Sequence, residues 1–311
     1  MSRSDPERVL VLNPVSGSED HVAHVETLAH EHGFEVRKSE GEGDARRLAR
    51  AASSESADLV AAAGGDGTVN EVVDGVLAAD GLAETAVAVV PAGTGNNFAS
   101  NVGVESIAEA FDVIEDGERR RIDLGIANGR AFVNSCIGGV TAEASAATTP
   151  DGKREYGVLA YVLRTLETIS SFDSLPLRVT LEDLDGSSDA ERWEGEALFV
   201  LVGNCRRFTG VRRTQANVED GLFEVAIVEE APPTDLVGQA ALERLFDREA
   251  TGIVTRRAPR LTLESLRDES VAYSLDGESL ETERLTLETN AERLEVVVGD
   301  SYQPDPDASG R

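Results

Sequence analysis

Apolar residues in the first third of the chain come in short unbroken runs at 9–12, 59–63 and 86–90, and Phe34 to Val36 begins a further strand. Runs of this length without alternation predict strands covered on both faces, as in a parallel sheet between helices. Between them apolar residues recur every three or four positions, which predicts helices over 18–32, 45–53, 68–79 and 104–116. Gly33 stands where the first helix should end, and Asp44 and Thr68 stand where the second and third should be capped. The order βαβαβα predicts an open parallel sheet with helices on both faces.

After residue 121 the pattern changes. Asn128-Gly129 between two apolar stretches reads as a hairpin turn. A long helix is expected over about 155–171 and another over 233–247, among strands near 177–182, 196–203, 222–229, 260–265, 284–289 and 293–298. Closely spaced strands predict a mainly antiparallel sandwich or barrel. The expected organisation is an α/β domain over 1–124, a β-rich domain over 125–300 and a disordered tail over 301–311. Residues 182–192 read as a solvated connection.

Charge narrows the partners. The 311 residues carry 58 acidic and 29 basic side chains, a formal charge of −29. Lys38 and Lys153 are the only lysines. Neutralising phosphates needs a basic surface, so a nucleic acid partner is excluded, and an anionic membrane allows at most peripheral contact. The acidity is spread along the whole chain, as suits a halophile, because concentrated salt screens such self-repulsion; a melting temperature that rises with KCl is the expected signature. No apolar run reaches the ~20 residues of a membrane span and the N-terminus lacks a signal-peptide core, so a cytoplasmic protein is expected. Cys136 and Cys205 lack metal or disulfide spacing and read as buried apolar residues. His21, His24, His30 and His32 are the only histidines. His21 and His24 share a helical face, where a solvated surface is expected over a metal pair.

Candidate chemistry lies at strand ends. The stretch AAAGGDGTVNEVVDGV, residues 61–76, turns from strand to helix through three glycines and Asp66. Glycines let a ligand approach the backbone, and a helix N-terminus offers free N–H groups to an anion, so this corner suits a phosphate. Asp66 can face a ribose hydroxyl or Mg²⁺. Two similar turns, NPVSG (13–17) and PAGTGNNF (91–98), follow the first and fourth strands. In a parallel sheet all three fall on one edge. Neither a P-loop nor a GxGxxG after the first strand is present.

NPVSG, GGDGTVNEVVDG and PAGTGNNFA, taken together, resemble the lipid kinase family of diacylglycerol and sphingosine kinases, and more distantly NAD kinases and phosphofructokinases. The resemblance continues through RRIDLGIANGRAFVNSCIGG, KREYGVLAYVLRTLE, GEALFVLVGN, VEDGLFEVAIVE and LDGESL, in order, and favours the bacterial and archaeal diacylglycerol kinase-like branch. It implies ATP in a cleft between two domains and transfer of its γ-phosphoryl group to a lipid hydroxyl. The nucleotide set it implies is Asn13, Pro14, Val15, Ser16, Gly17, Ser39, Gly64, Gly65, Asp66, Gly67, Thr68, Val69, Asn70, Glu71, Gly93, Thr94, Gly95 and Asn96. Asp276 of LDGE is implied as base, with Glu278 as metal partner or substitute base. A second, structural Mg²⁺ is implied at the Asp220 carboxylate with the carbonyls of Asn217 and Leu222.

The pattern also departs from the family, which usually has Asp where Asn97 stands. Two other readings stay open: a kinase of NAD or another small metabolite, which would share the same sheet corner, and, given Asn97, a nucleotide-binding regulator that has lost transfer. A two-fold homodimer is a further possibility.

Overall fold

The computed structural model describes residues 8–17, 21–139, 174–182, 190–205, 217–229, 253–267 and 269–304. The helices expected over 155–171 and 233–247, most of the 182–192 connection and the tail from 305 lie outside the described residues. The chain divides into two compact units.

The first unit comprises residues 1–124, 130–133 and 290–304, so a segment expected with the second domain groups here. Strands β1 (Arg8–Leu12), β2 (Phe34–Lys38), β3 (Leu59–Gly64) and β4 (Ala86–Pro91) are parallel, in the order β2-β1-β3-β4. The end of β15 (Arg284–Val298) adds beyond β4, with Val296 opposite Val87. β3 and β4 are buried at every position, as their unbroken apolar runs predict. Helices α1 (His21–Glu31), α2 (Asp44–Ser54), α3 (Asp66–Ala78), α4 (Asn97–Asn101) and α5 (Ile107–Asp116) follow the strands.

Local details correct the expected caps. Gly43, in a left-handed conformation, precedes α2, and Asp44 lies inside the first turn, where its Oδ2 accepts from Glu40 N (2.9 Å). The N–H of Glu40, followed by Arg47, holds the Asp44 carboxyl below its ordinary value. α3 starts two residues earlier than expected, with Gly65 at its cap. Thr68 is therefore inside the helix, and its hydroxyl turns back to accept from Asn13 Nδ2 (3.1 Å). At α5 the cap is Ser106, whose Oγ accepts from Glu109 N (3.2 Å) while Glu109 Oε2 accepts from Glu105 N (2.8 Å). His21 is not on a solvated surface: it is buried, and its Nε2 donates to the Asn13 carbonyl (3.2 Å), while His24 is exposed.

The second unit comprises residues 125–129, 134–289 and 305–311. Its described strands pair antiparallel: β14 (Glu278–Thr282), β13 (Val271–Leu275), β7 (Ser135–Gly138), β9 (Glu191–Gly203), β8 (Leu175–Glu182), β12 (Arg260–Ser265) and the start of β15, in that order. β10 (Phe223–Glu229) pairs with β9 and with β11 (Ile253–Ala258). Leu177, Val179, Leu181, Leu261, Leu263, Leu285 and Leu287 alternate into the core. The intervening positions carry cross-strand ion pairs such as Arg284 with Glu264 (2.6 Å) and Arg260 with Glu288 (2.6 Å). The Asn128-Gly129 hairpin forms between β5 (Glu118–Ala127) and β6 (Arg130–Phe132), both turn residues having positive φ. The two strands expected near the C-terminus are one, β15. Its kink is at Glu292 (φ 50°), whose N–H leaves the ladder for Asp123 Oδ1 (2.9 Å).

Candidate active site

Register fixes where the loops of the first unit emerge. Leu12 pairs with Lys38 on one side and Ala63 on the other, and Gly64 pairs with Pro91. The residues that follow, Asn13, Ser39, Gly65 and Ala92, thus leave the sheet in one row at its C-terminal edge. The chain passes from β2 across β1 to β3, so the order of winding reverses between β1 and β3, where open α/β sheets bind ligands.

Side chains in this row hold backbone. Asn13 uses every polar group: N donates to Ala63 O (2.9 Å), Nδ2 to Thr68 Oγ1, Oδ1 accepts from Val15 N (3.2 Å), and O accepts from His21. Asn96 closes its own turn on Gly93, accepting from the N–H and donating to the carbonyl, both at 3.0 Å. Asp66 joins the second loop to the third. Its Oδ2 accepts from Asn97 N (3.1 Å) and Nδ2 (3.0 Å), and its Oδ1 from Phe98 N (2.8 Å). Glu71 reaches the start of α2, accepting from Gly43 N (3.2 Å), Ala45 N (3.1 Å) and Arg46 N (3.3 Å), amides that a helix end leaves unpaired. Ser39 is buried against the end of β1, its N–H donating to Leu12 O (2.9 Å).

The loops touch through glycine. A Cβ on Gly93 would lie 2.3 Å from Gly65 Cα, and one on Gly17 would lie 2.5 Å from Ala92 O. Both obstacles are backbone, so any side chain there forces the loops apart. α3's first internal hydrogen bond runs from Val69 N to Gly65 O (3.1 Å). The N–H groups of Asp66, Gly67 and Thr68 precede it and take no partner among the described residues, leaving donors and the positive end of the helix dipole for an anion. Not every expected residue offers a side chain to it. Thr68, Val69 and Asn70 are buried, whereas Val15 is 75% exposed and Gly67 and Thr94 lie at the surface.

In the second unit Asp276-Gly277 is the two-residue turn between β13 and β14, both residues having positive φ. The Asp276 carboxylate is pinned by backbone: Oδ1 accepts from Ser135 N (2.7 Å) and Asn134 N (3.0 Å), and Oδ2 from Asn134 N (3.1 Å). Asp276 N donates in return to Ser135 O (3.0 Å). Glu278 is half-buried on the far side of the turn. Cys136, next along β7, is fully buried; burial first, and then the Asp276 charge, push its thiol up, so it stays neutral. The roles of Asn134 and Ser135 were not readable in the sequence. Their only signal was the stretch FVNS, since nothing local links it to a turn more than a hundred residues later.

At the Asp220 turn the carboxylate is already engaged from within the unit. Asp220 Oδ1 accepts from Leu222 N (3.0 Å), Oδ2 is bound by the Arg257 guanidinium, and Asn217 Oδ1 accepts from Glu219 N (3.0 Å). Among the described residues no group of three or more His, Cys, Asp or Glu side chains is arranged to hold a metal. No helix among them is long and apolar enough to cross a membrane.

Comparison with known proteins agrees with both units. Residues 7–127 match the diacylglycerol kinase catalytic domain, and residues 134–298 match the YegS C-terminal NAD kinase beta sandwich-like domain. A Pseudomonas aeruginosa protein called "Probable lipid kinase YegS-like" is 34% identical over 84% of this chain and 83% of its own. The diacylglycerol kinase of Bacillus subtilis is 31% identical over 86% of this chain and 88% of its own. The crystal structure of a candidate diacylglycerol kinase from Bacillus anthracis superposes with a TM-score of 0.76 at 26% identity, over 96% of this chain and 98% of that one. With the α/β unit, the antiparallel unit and the GGDG corner all matched, the chain belongs to the diacylglycerol kinase-like family of lipid kinases.

Proposed function

We propose that this kinase uses ATP and transfers the γ-phosphoryl group to a lipid hydroxyl, the acceptor being diacylglycerol-like, an ether lipid or an isoprenoid alcohol. The observation that carries this reading is the row of loops at the ends of β1, β3 and β4, clasped so that the amides of Asp66, Gly67 and Thr68 stay open to phosphate. In this reading the first unit binds the donor and the second supplies the base. The acceptor O–H gives its proton to the Asp276 carboxylate, the new oxygen–phosphorus bond forms as the β,γ-bridging bond breaks, and ADP leaves. The amides of Asn134 and Ser135 fix the direction of the carboxylate, as a base must be aimed.

Asp66 Oδ1 takes one donor and keeps a lone pair for the Mg²⁺ of the nucleotide, which usually holds phosphates and waters besides one or two carboxylates. Such an ion supplies charge for the phosphate oxygens. Asn97 is compatible with this arrangement, since its Nδ2 donates to Asp66 where a second carboxylate would repel it. The partners in this reading are a lipid alcohol reached by at most peripheral membrane contact, in the cytoplasm, and no nucleic acid.

The test is phosphoryl transfer from labelled ATP in three arms: vesicles carrying a diacylglycerol or prenyl alcohol, NAD, and neither. Label in the lipid arm alone is expected. Label on NAD would make the chain a metabolite kinase, and ATP binding with no transfer to any acceptor would make it a regulator.

A further inference from the structure

The family resemblance implies a structural divalent cation in the second unit, and the residues at that place are already neutralised from within. Asp220 lies in the turn before β10, and Arg257 lies on β11, the strand paired with β10. Glu224 and Arg257 are directly opposite in that register. Arg257 Nε donates to Glu224 Oε1 (2.9 Å) and Nη2 binds Asp220 Oδ2, so one guanidinium ties the turn to the strand. The other carboxylate oxygen accepts from Leu222 N, closing the turn locally.

We propose that the Arg257 guanidinium takes the cation's place at the Asp220 turn, so that the second unit forms and holds this turn without a divalent ion. A hard cation would need several oxygens arranged around it, and Mg²⁺ is strict about octahedral geometry. At this turn Asp220 gives one oxygen to an amide and the other to a positive group. A divalent ion reaching Asp220 would have to displace the guanidinium or sit beside a like charge. Arginine, unlike a bound ion, is present at every metal concentration, and its planar fork can serve two carboxylates at once. The need for Mg²⁺ would then lie with the nucleotide alone. This inference does not depend on which acceptor the kinase uses.

The experiment uses the full chain without nucleotide. Melting temperatures are read in EDTA and in MgCl₂ at matched ionic strength, for the wild type and for Arg257→Ala. The wild type should not respond to Mg²⁺; Arg257→Ala should melt lower in EDTA, by roughly 2–4 °C for each kcal/mol lost, and recover part of this in Mg²⁺. A second measurement does not need that variant to fold: Mn²⁺ binding followed by electron paramagnetic resonance, wild type against Asp220→Asn. Equal numbers of bound Mn²⁺ support the proposal, because ions on the acidic surface are then common to both. A bound ion lost on Asp220→Asn, or a wild-type melting temperature raised by Mg²⁺ and not raised in Asp220→Asn, would overturn it.

Discussion

The loop row of the first unit and the Asp276 turn of the second solve opposite problems. In the first, side chains hold backbone: Asn13, Asp66, Glu71 and Asn96 use their polar atoms on loop and helix amides, and the amides at the start of α3 are left for a ligand. In the second, backbone holds a side chain: two consecutive amides fix one carboxylate. A phosphate is bound by many weak, fixed dipoles, so its site is best made of main chain, which cannot titrate or rotate away. A proton is taken by one group with affinity for it, so a base site of the kind proposed must be a side chain, with the main chain as its mount.

Asp276→Asn tests the second half of this contrast and should have the largest effect. Asparagine suits the positive φ of the turn and can still accept from Ser135 N, so the fold should survive while the proposed proton acceptor is lost. Turnover is expected to fall by on the order of 10²–10⁴ with nucleotide affinity nearly unchanged. Normal turnover here, together with an inactive Glu278→Gln, would move the base to Glu278. Normal turnover in both would discard a base on this turn.

Gly93→Ala tests the first half. The new methyl would meet Gly65 Cα, and two backbones cannot both yield without moving the loops off the sheet edge. Overpacking of this kind costs about 1–3 kcal/mol, so ATP affinity should fall by roughly fivefold or more, with a lower melting temperature. Calorimetry with ATP reads the first quantity, and wild-type affinity would show that the loops are not in this contact when nucleotide binds.

How much of this contrast was legible in the sequence follows from distance along the chain. The first unit's strands could be read from unbroken apolar runs and its loops from glycine at their ends, because motif and structure are there local. The caps could not. Asp44 and Gly43 are adjacent, and which one ends the helix is decided by the Glu71 carboxylate arriving from 28 residues away. Thr68 has the chemistry of a cap, but Asn13 claims its hydroxyl from 55 residues away. In the second unit Asp276-Gly277 could be read as a turn, while its partners at 134 and 135 are 142 and 141 residues distant. β13 and β14 were missed because each has only five residues and β14 carries a single apolar side chain, and β15 was split because Asn290 and the positive φ of Glu292 imitate a turn. Burial of Cys136 and Cys205 needed no partner, only apolar neighbours, and was legible.

Glu71→Gln separates holding from binding within the first unit. If Glu71 serves as the mount of α2, glutamine keeps one acceptor but turns an amide N–H toward donors, and stability should fall by about 1 kcal/mol, the usual scale of a lost helix cap. ATP affinity should change by less than roughly threefold, which is about 0.6 kcal/mol. A large loss of affinity at unchanged melting temperature would instead put Glu71 in contact with the nucleotide.

The smallest effect calibrates the others, since it comes from a carboxylate held chiefly by a guanidinium at the surface, outside both the loop row and the Asp276 turn. Glu115 is bound by Arg8 and also meets His32 Nδ1 (3.2 Å); Arg8 first, then His32, hold its carboxyl below the ordinary value, and it is about a third exposed. Because the folded state binds this proton less readily than the unfolded chain does, the pair stabilises fully only above the ordinary carboxylate value of 4.5, and the contribution is lost as pH falls through the lower folded value. Solvent screening keeps exposed pairs below about 1 kcal/mol. Glu115→Gln should therefore melt slightly below the wild type at neutral pH, and the two curves should converge in acid; if the gap instead widened as pH fell, the sign of this pairing would be wrong. A difference at neutral pH as large as that of Glu71→Gln would mean that carboxylates held by amides and carboxylates held by cations are not distinct in this fold, and the contrast between the loop row and the Asp276 turn would lose its energetic basis.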